Sequence, residues 1–253
     1  MLISHRKRFI YTKTIKTAGT SVEVYFEPYC MPEGSWQFQG PRDQYIGPDG
    51  IIGYRGSDAT GKIWRNHMSA NEIRDAIGDS VWNAYFKFCI VRNPFDKLVS
   101  AFYFFERQRT NTAPRENSSG LLSRLSRRAG EAHSGDDAIT RFRRWVQTGS
   151  AVIDRDKYTI DGRVCVDYFI KFEELHQGIQ HVCDVLDIAF QPDRIPHLKT
   201  GIRKREIPLH EYYDEATAKI VEEIYKFELE TFGYRRPTAA FSPTPSTNPS
   251  EVV

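Results

Sequence analysis

The sequence has few cysteines, and their spacing matches no known pattern. The four cysteines lie far apart and form no C-x-x-C pair, so they predict neither a zinc site nor a disulfide framework. They are Cys30, Cys89, Cys165 and Cys183. Long apolar runs are missing too, since none approaches the roughly 18 residues that a membrane helix needs. We therefore expect a protein without a membrane span.

The sequence also lacks an excess of charge of either sign. The 253 residues carry 35 basic and 33 acidic side chains, for a formal net charge of +2. This balance excludes a basic surface over the whole molecule and predicts no nucleic-acid partner, but it leaves room for a local anion site. Residues 5–8 lead straight into an apolar run and leave no room for a signal peptide, so we expect a cytoplasmic protein.

Apolar runs alternate with helical patterns along the chain. Runs that begin near Phe9, Phe86 and Asp167 are each followed by apolar residues at helical spacing. This alternation predicts an α/β fold with a central parallel sheet flanked by helices, in one domain over residues 1–236. A long helix is expected over residues 214–232, and a hairpin is expected around Asp161-Gly162.

The first apolar run ends in a short loop rich in lysine, glycine and hydroxyl residues. The loop and the start of the next helix contain Lys16, Thr17, Ala18, Gly19, Thr20 and Ser21. A strand, a loop and a helix N-terminus together bind phosphate, because the first helical N–H groups lack partners and the helix dipole favours an anion. The spacing is not that of a Walker A loop, whose lysine follows the last glycine. An ordinary strand-to-helix turn with capping hydroxyl groups is the alternative interpretation.

A second candidate binding motif begins at the end of the strand that starts at Phe86. Arg92 comes at the carboxyl end of this strand, and Asn93-Pro94 is typical of a helix start. Ser100 lies two turns into that helix. Ligands bind at the carboxyl edge of open α/β sheets, so Arg92 and Ser100 are candidate binding residues.

A histidine stands just before another predicted helix. Ser69 and Glu72 form a capping box, which predicts a helix over residues 70–77, and His67 precedes it. A lone histidine is more often a capping or solvated residue than a catalytic one. This histidine, however, lies at an edge where side chains enter clefts.

Three stretches interrupt the periodic pattern. Residues 31–65 are rich in glycine, proline and aromatic side chains, and they form either a surface loop or a wall that faces a substrate. Residues 107–137 are polar and arginine-rich, which predicts a mobile surface insertion or, as the alternative, a basic lid over an anionic ligand. Residues 237–253 are rich in proline, serine and threonine, and we expect a disordered tail.

Two of these motifs together resemble those of sulfotransferases. The stretch from Lys16 to Ser21 resembles their 5′-phosphosulfate loop. The stretch from Arg92 to Tyr103 resembles their 3′-phosphate motif, with an arginine and a serine eight positions apart. The pattern is most similar to the carbohydrate sulfotransferase branch, bacterial members included, and the likeness spans most of the chain. One departure is Ile15, which stands where the family usually has proline.

The resemblance implies a three-layer fold of the P-loop type and the donor 3′-phosphoadenosine-5′-phosphosulfate (PAPS), without a metal. Lys16 would balance the charge that develops as the sulfuryl group leaves, and Arg92 would bind the 3′-phosphate. The acceptor would be a hydroxyl of a carbohydrate or a small polar molecule. The residues that the resemblance assigns to the donor are Lys16, Thr17, Ala18, Gly19, Thr20, Ser21, Arg92, Ser100, Arg203 and Lys204.

The same resemblance makes His67 the general base that takes the proton of the acceptor hydroxyl in a direct, in-line transfer. His5, His197 and Glu72 are the alternatives for this role. At its reference pKa of about 6.5, a histidine base would produce an acidic limb near neutrality in the pH profile of kcat/KM.

Two functions from other classes stay open at this point. One is a P-loop phosphotransferase that uses ATP and magnesium, which the misplaced lysine disfavours. The other is a nucleotide-binding module without catalytic activity, which His67 and the intact lysine loop disfavour.

Overall fold

The computed structural model describes residues 1–112, 137–196 and 207–239. The chain divides into two compact units, one of Met1–Arg92 with Val152–Thr200 and one of Asn93–Ala151 with Gly201–Val253. The single domain over residues 1–236 stays a prediction.

Several predictions from the sequence fall outside the described residues. They concern Arg203, Lys204 and His197, most of the segment 107–137, and the tail from residue 240 onward. Their roles stay predictions.

The first unit contains a six-stranded sheet and a two-stranded ribbon. The strands are β1 (Leu2–Ser4), β2 (Phe9–Tyr11), β3 (Tyr45–Gly47), β4 (Gly50–Ile52), β5 (Phe86–Val91), β6 (Thr159–Ile160), β7 (Arg163–Val164) and β8 (Tyr168–Lys171). The large sheet has the order β3-β4-β1-β2-β5-β8, and β6 pairs with β7. The ribbon confirms the hairpin that was predicted around Asp161-Gly162.

The central sheet is mixed. Strands β2, β5 and β8 run parallel, as the alternating pattern predicts, whereas β1 is antiparallel to both β2 and β4. Residues 5–8 alone connect β1 to β2, and so short a link permits only an antiparallel pair, because a parallel crossover needs about a dozen residues. The α/β class is confirmed, but the parallel arrangement holds for one half of the sheet only.

The helices of the described residues belong to both units. They are α1 (Gly19–Phe26), α2 (Ala70–Ile77), α3 (Asp79–Ala84), α4 (Pro94–Thr112), α5 (Ala138–Gln147), α6 (Leu175–Val185), α7 (Glu215–Ile224) and α8 (Lys226–Phe232). No helix in the described part of the chain is long and apolar enough to cross a membrane.

Successive residues of β2 face opposite helix layers, because side chains alternate along a strand. Phe9 packs edge to face on Phe26 of α1, with 5.6 Å between ring centroids. The next residue, Ile10, lies in a separate core with Ile73 of α2. The sheet is therefore covered on both faces, and the packing under α1 holds the end of β2 and the start of that helix in place.

The second unit is a helical core around aromatic rings. Phe142 of α5 contacts Phe102, Tyr212 and Tyr213, with ring centroids between 5.1 and 5.5 Å apart. The Tyr213 hydroxyl donates a hydrogen bond of 2.6 Å to the carbonyl of Phe95. These contacts fix the first turns of α4, the helix that carries Ser100.

Two helices end elsewhere than the sequence predicts. Helix α4 continues to Thr112, so it includes the first residues of the predicted insertion 107–137. The long helix expected over 214–232 is divided at Tyr225, where ψ is 22°. The Tyr225 side chain is 1% exposed. Its packing depends on tertiary contacts, which the helical spacing of apolar residues does not predict.

Candidate functional site

The loop between β2 and α1 is tied to strand β5. The Thr12 N–H donates to the Phe88 carbonyl at 3.1 Å, which continues the parallel pairing beyond β2. The Thr14 hydroxyl donates to the Ile90 carbonyl at 2.6 Å and lies 2.7 Å from the Thr17 hydroxyl. Two hydrogen bonds to β5 and one within the loop therefore give the loop one defined shape.

Lys16 and Ala18 have left-handed backbone conformations, with φ of 62° and 59°. For a residue other than glycine this costs about 1–3 kcal/mol and persists only where the surroundings impose it, which is typical of binding sites. Ala18 is the N-cap of α1 and makes no side-chain capping hydrogen bond. The first N–H groups of α1 are therefore suited to an anion.

Gly19 is closely packed inside the protein. A Cβ at this position would lie 3.1 Å from the Tyr11 hydroxyl, from the Lys13 side chain and from the Thr14 carbonyl. The Tyr11 hydroxyl also donates to the Gly19 carbonyl at 3.2 Å. The absence of a side chain at Gly19 thus admits the neighbouring loop and strand.

Arg92 lies directly against the loop. Its Nη1 donates to the carbonyl of Lys16 at 2.8 Å, and its guanidinium carbon lies 4.0 Å from the centre of the Phe172 ring. The structure thus joins the two motifs that the sequence separates by more than seventy residues. Phe172 was not recognised as a site residue from the sequence, which predicts it as the last residue of the strand that begins at Asp167, whereas β8 ends at Lys171.

Helix α4 begins as the sequence predicts. The Asn93 side-chain oxygen accepts a hydrogen bond of 3.0 Å from the Phe95 N–H, and Pro94 is the first helical residue. Ser100 lies about two turns further along α4 and is half-buried. Its role in binding stays a prediction.

His67 is attached to the same loop as Lys16. Its Nδ1 lies 3.0 Å from the carbonyl of Lys13. A carbonyl can only accept, so Nδ1 carries the proton and Nε2 has the free lone pair that a base needs. The backbone of His67 is left-handed, with φ of 58°.

The residues that follow His67 begin helix α2. The Ser69 hydroxyl accepts from the Glu72 N–H at 3.2 Å, and the Glu72 carboxylate accepts from the Ser69 N–H at 2.8 Å. This is the predicted capping box, and it confirms the start of α2. The carboxylate of Glu72, an alternative base, also forms an ion pair with Arg65. It is therefore engaged both in capping α2 and in this ion pair.

The electrostatic surroundings of His67 differ from the sequence-based expectation. Burial lowers the pKa of His67 to about 3, and the nearby positive charge of Lys13 adds to the effect. The ring is therefore neutral at neutral pH in the protein without ligand. The acidic limb expected near neutrality assumed an unperturbed imidazole, and the lowered pKa of His67 moves that limb to lower pH in the protein without ligand.

Lys13 belongs to a buried charge cluster that the sequence did not reveal. Its ammonium lies 2.6 Å from the Glu23 carboxylate, and Arg55 contacts both Glu23 and Glu27 at 2.9 Å. Burial alone would raise the pKa of Glu23, but Lys13, the Met1 amino group and Arg42 hold it well below its usual value. Because Arg42 and Arg55 lie in the segment 31–65, the cluster fixes that segment to α1.

Among the described residues, no group of histidine, cysteine and acidic side chains could hold a metal ion. The Nδ1 of His5, another alternative base, lies 2.9 Å from the Tyr85 hydroxyl.

Lys16, Arg92 and His67 are brought together by contacts to one loop.

Comparisons with known proteins point to one family. Residues 1–235 match the model of the Sulfotransferase family. No curated protein matches the chain. Among solved structures, a sulfotransferase from Alicyclobacillus acidocaldarius matches with 17% sequence identity and a TM-score of 0.32, over 87% of this chain and 95% of that chain.

Proposed function

This chain belongs to the sulfotransferase family, and from that premise we propose that it moves the sulfuryl group of PAPS to a hydroxyl of a carbohydrate or small polar acceptor. The observation that carries the proposal is the hydrogen bond between Arg92 and the Lys16 carbonyl. It holds the residue proposed for the 3′-phosphate against the loop proposed for the 5′-phosphosulfate.

The loop and the helix that follows suit an anionic donor. The α1 N-terminus presents N–H groups without a side-chain cap among the described residues, and the helix dipole favours negative charge there. Thr20 and Ser21 lie in the first turn of α1 and offer hydroxyl groups. Arg92 supplies a planar guanidinium of the kind that binds phosphate in two hydrogen bonds.

The donor supplies a sulfuryl group and leaves as adenosine 3′,5′-bisphosphate. Lys16 stabilises the negative charge that grows on the leaving phosphate oxygen. His67 accepts the proton of the acceptor hydroxyl at Nε2 while its Nδ1–H donates to the Lys13 carbonyl. The acceptor oxygen then forms the new bond to sulfur as the bond between sulfur and the phosphate oxygen of the donor breaks. In this proposal the side chains of the protein position the reactants, stabilise the developing charge and move one proton.

We expect adenosine 3′,5′-bisphosphate to raise the melting temperature of the protein, and ATP with magnesium to leave it nearly unchanged. A ligand that binds only the native state stabilises it by mass action, by about 2.7 kcal/mol at a hundred times its dissociation constant. Differential scanning fluorimetry at matched nucleotide concentrations provides the measurement. A larger shift with ATP and magnesium would favour the phosphotransferase instead.

A further inference from the structure

A buried carboxylate contacts the loop from a distant part of the chain. The Ile15 N–H donates to Oδ2 of Asp154 at 2.9 Å, across 139 positions of sequence. Asp154 is 2% exposed, so this charge-assisted hydrogen bond is shielded from water. Proline, the usual residue of the family at position 15, has no N–H and could not make this contact.

Asp154 is held on a rigid support. The Lys157 N–H donates to the Asp154 carbonyl at 2.8 Å, which closes a short 3₁₀ turn. The next residue, Tyr158, packs edge to face on Phe169 with 5.6 Å between ring centroids. Phe169 is in β8 and pairs with Cys89 of β5. The segment that carries the Asp154 carboxylate is therefore anchored to the same sheet as the loop.

Lys16 is consequently held on both sides. The Ile15 N–H, one residue before it, donates to Asp154, and the carbonyl of Lys16 itself accepts from Arg92. Between these two hydrogen bonds, Lys16 has a left-handed conformation that an unrestrained loop would leave. The direction of its side chain depends on that backbone conformation.

We propose that Asp154 is a positioning residue for Lys16, acting through the Ile15 N–H and touching neither donor nor acceptor. The inference rests on the proposed function, since it assumes that the loop binds the donor phosphate. Asp154 keeps the loop in its binding shape before the ligand arrives, so its loss weakens binding because the loop must then be ordered on binding.

The test compares Asp154→Asn, which keeps an oxygen acceptor, with Asp154→Leu, which removes it. Calorimetry should show that Asp154→Leu weakens the binding of adenosine 3′,5′-bisphosphate about tenfold, a typical effect of losing a hydrogen bond to a charged group. Asp154→Asn should restore most of that affinity. Asp156→Leu is the matched control, because Asp156 lies in the same turn but is exposed.

A double-mutant cycle separates positioning from general stability. In an Ile15→Pro background the N–H is absent, so Asp154→Leu should cause no further loss of affinity. Circular dichroism checks that each variant is folded, and if Ile15→Pro does not fold, the Asn and Leu comparison decides alone.

Two results would overturn the inference. One is wild-type affinity in Asp154→Leu, and the other is an equal loss in Asp154→Asn and Asp154→Leu. Failure of the wild-type protein to bind the nucleotide at all would instead reject the proposed function, and the inference with it.

Discussion

His67→Ala should lower kcat by a factor of about 10²–10⁴, the usual cost of losing a positioned general base. The loss should appear at saturating PAPS and acceptor, because His67 takes a proton in the transition state and does not hold the donor. Its Nδ1 contact with the Lys13 carbonyl leaves Nε2 as the proton acceptor. Steady-state kinetics and calorimetry with adenosine 3′,5′-bisphosphate give turnover and donor affinity separately.

Two variants control this experiment. His67→Asn tolerates the left-handed backbone at position 67 and has an amide that can reach the Lys13 carbonyl, so it should fold normally and still be inactive. His176→Ala, on the exposed side of α6, should keep wild-type turnover. A His67→Ala variant that keeps more than about a tenth of wild-type turnover would reject the assignment, given the expected range.

The pH profile tests the same assignment in a second way. The pKa of His67 is lowered to about 3 in the protein without ligand, so kcat/KM should not fall between pH 8 and 5 on account of His67. An anionic donor beside the ring stabilises the imidazolium and raises its pKa. The acidic limb of kcat should therefore lie at higher pH than that of kcat/KM.

Lys16→Ala should reduce kcat by a factor of about 10²–10³, because the ammonium is placed to meet charge that appears only in the transition state. Alanine keeps the backbone groups of position 16, so the carbonyl that accepts from Arg92 remains. Donor affinity should fall much less than turnover. Single-turnover kinetics with saturating PAPS measure the chemical step directly.

Lys7→Ala is the matched control, since Lys7 donates to the Asp187 carbonyl and lies away from the loop. A variant Lys16→Ala with normal turnover at saturation and a collapsed donor affinity would make Lys16 a simple binding residue. Equal losses in Lys7→Ala would show that positive charge in general, and not Lys16, supports the reaction.

Local patterns in the sequence predicted the elements around the site well. The Ser69 and Glu72 capping box, with Gly78 after the helix, marks both ends of α2, because the contacts span only a few residues. Asn93-Pro94 marks the start of α4 for the same reason. The two binding motifs were recognisable since each is a continuous stretch of sequence.

Contacts between distant residues were not predictable in this way. Nothing in the sequence pairs Asp154 with Ile15, or Arg55 with Glu23, because those partners meet only after the sheet has formed. The lowered pKa of His67 follows from burial, which a sequence pattern does not specify. The antiparallel pairing of β1 with β4 was not predicted, because the two strands lie far apart in the sequence and meet only in the folded sheet.

The most direct test of the proposed donor is the affinity of wild-type and Arg92→Ala protein for two nucleotides, measured by calorimetry. Adenosine 3′,5′-bisphosphate carries the 3′-phosphate, and adenosine 5′-phosphosulfate lacks it. Arg194→Ala serves as the control, because Arg194 also lies over an aromatic ring, that of Tyr25.

Arg92→Ala should weaken binding of adenosine 3′,5′-bisphosphate by about 2–4 kcal/mol, the range for truncating a buried charged partner. Binding of adenosine 5′-phosphosulfate should weaken far less, through the loosened Lys16 carbonyl alone. Equal losses for the two nucleotides would contradict the account, because Arg92 would then not read the 3′-phosphate that distinguishes this donor.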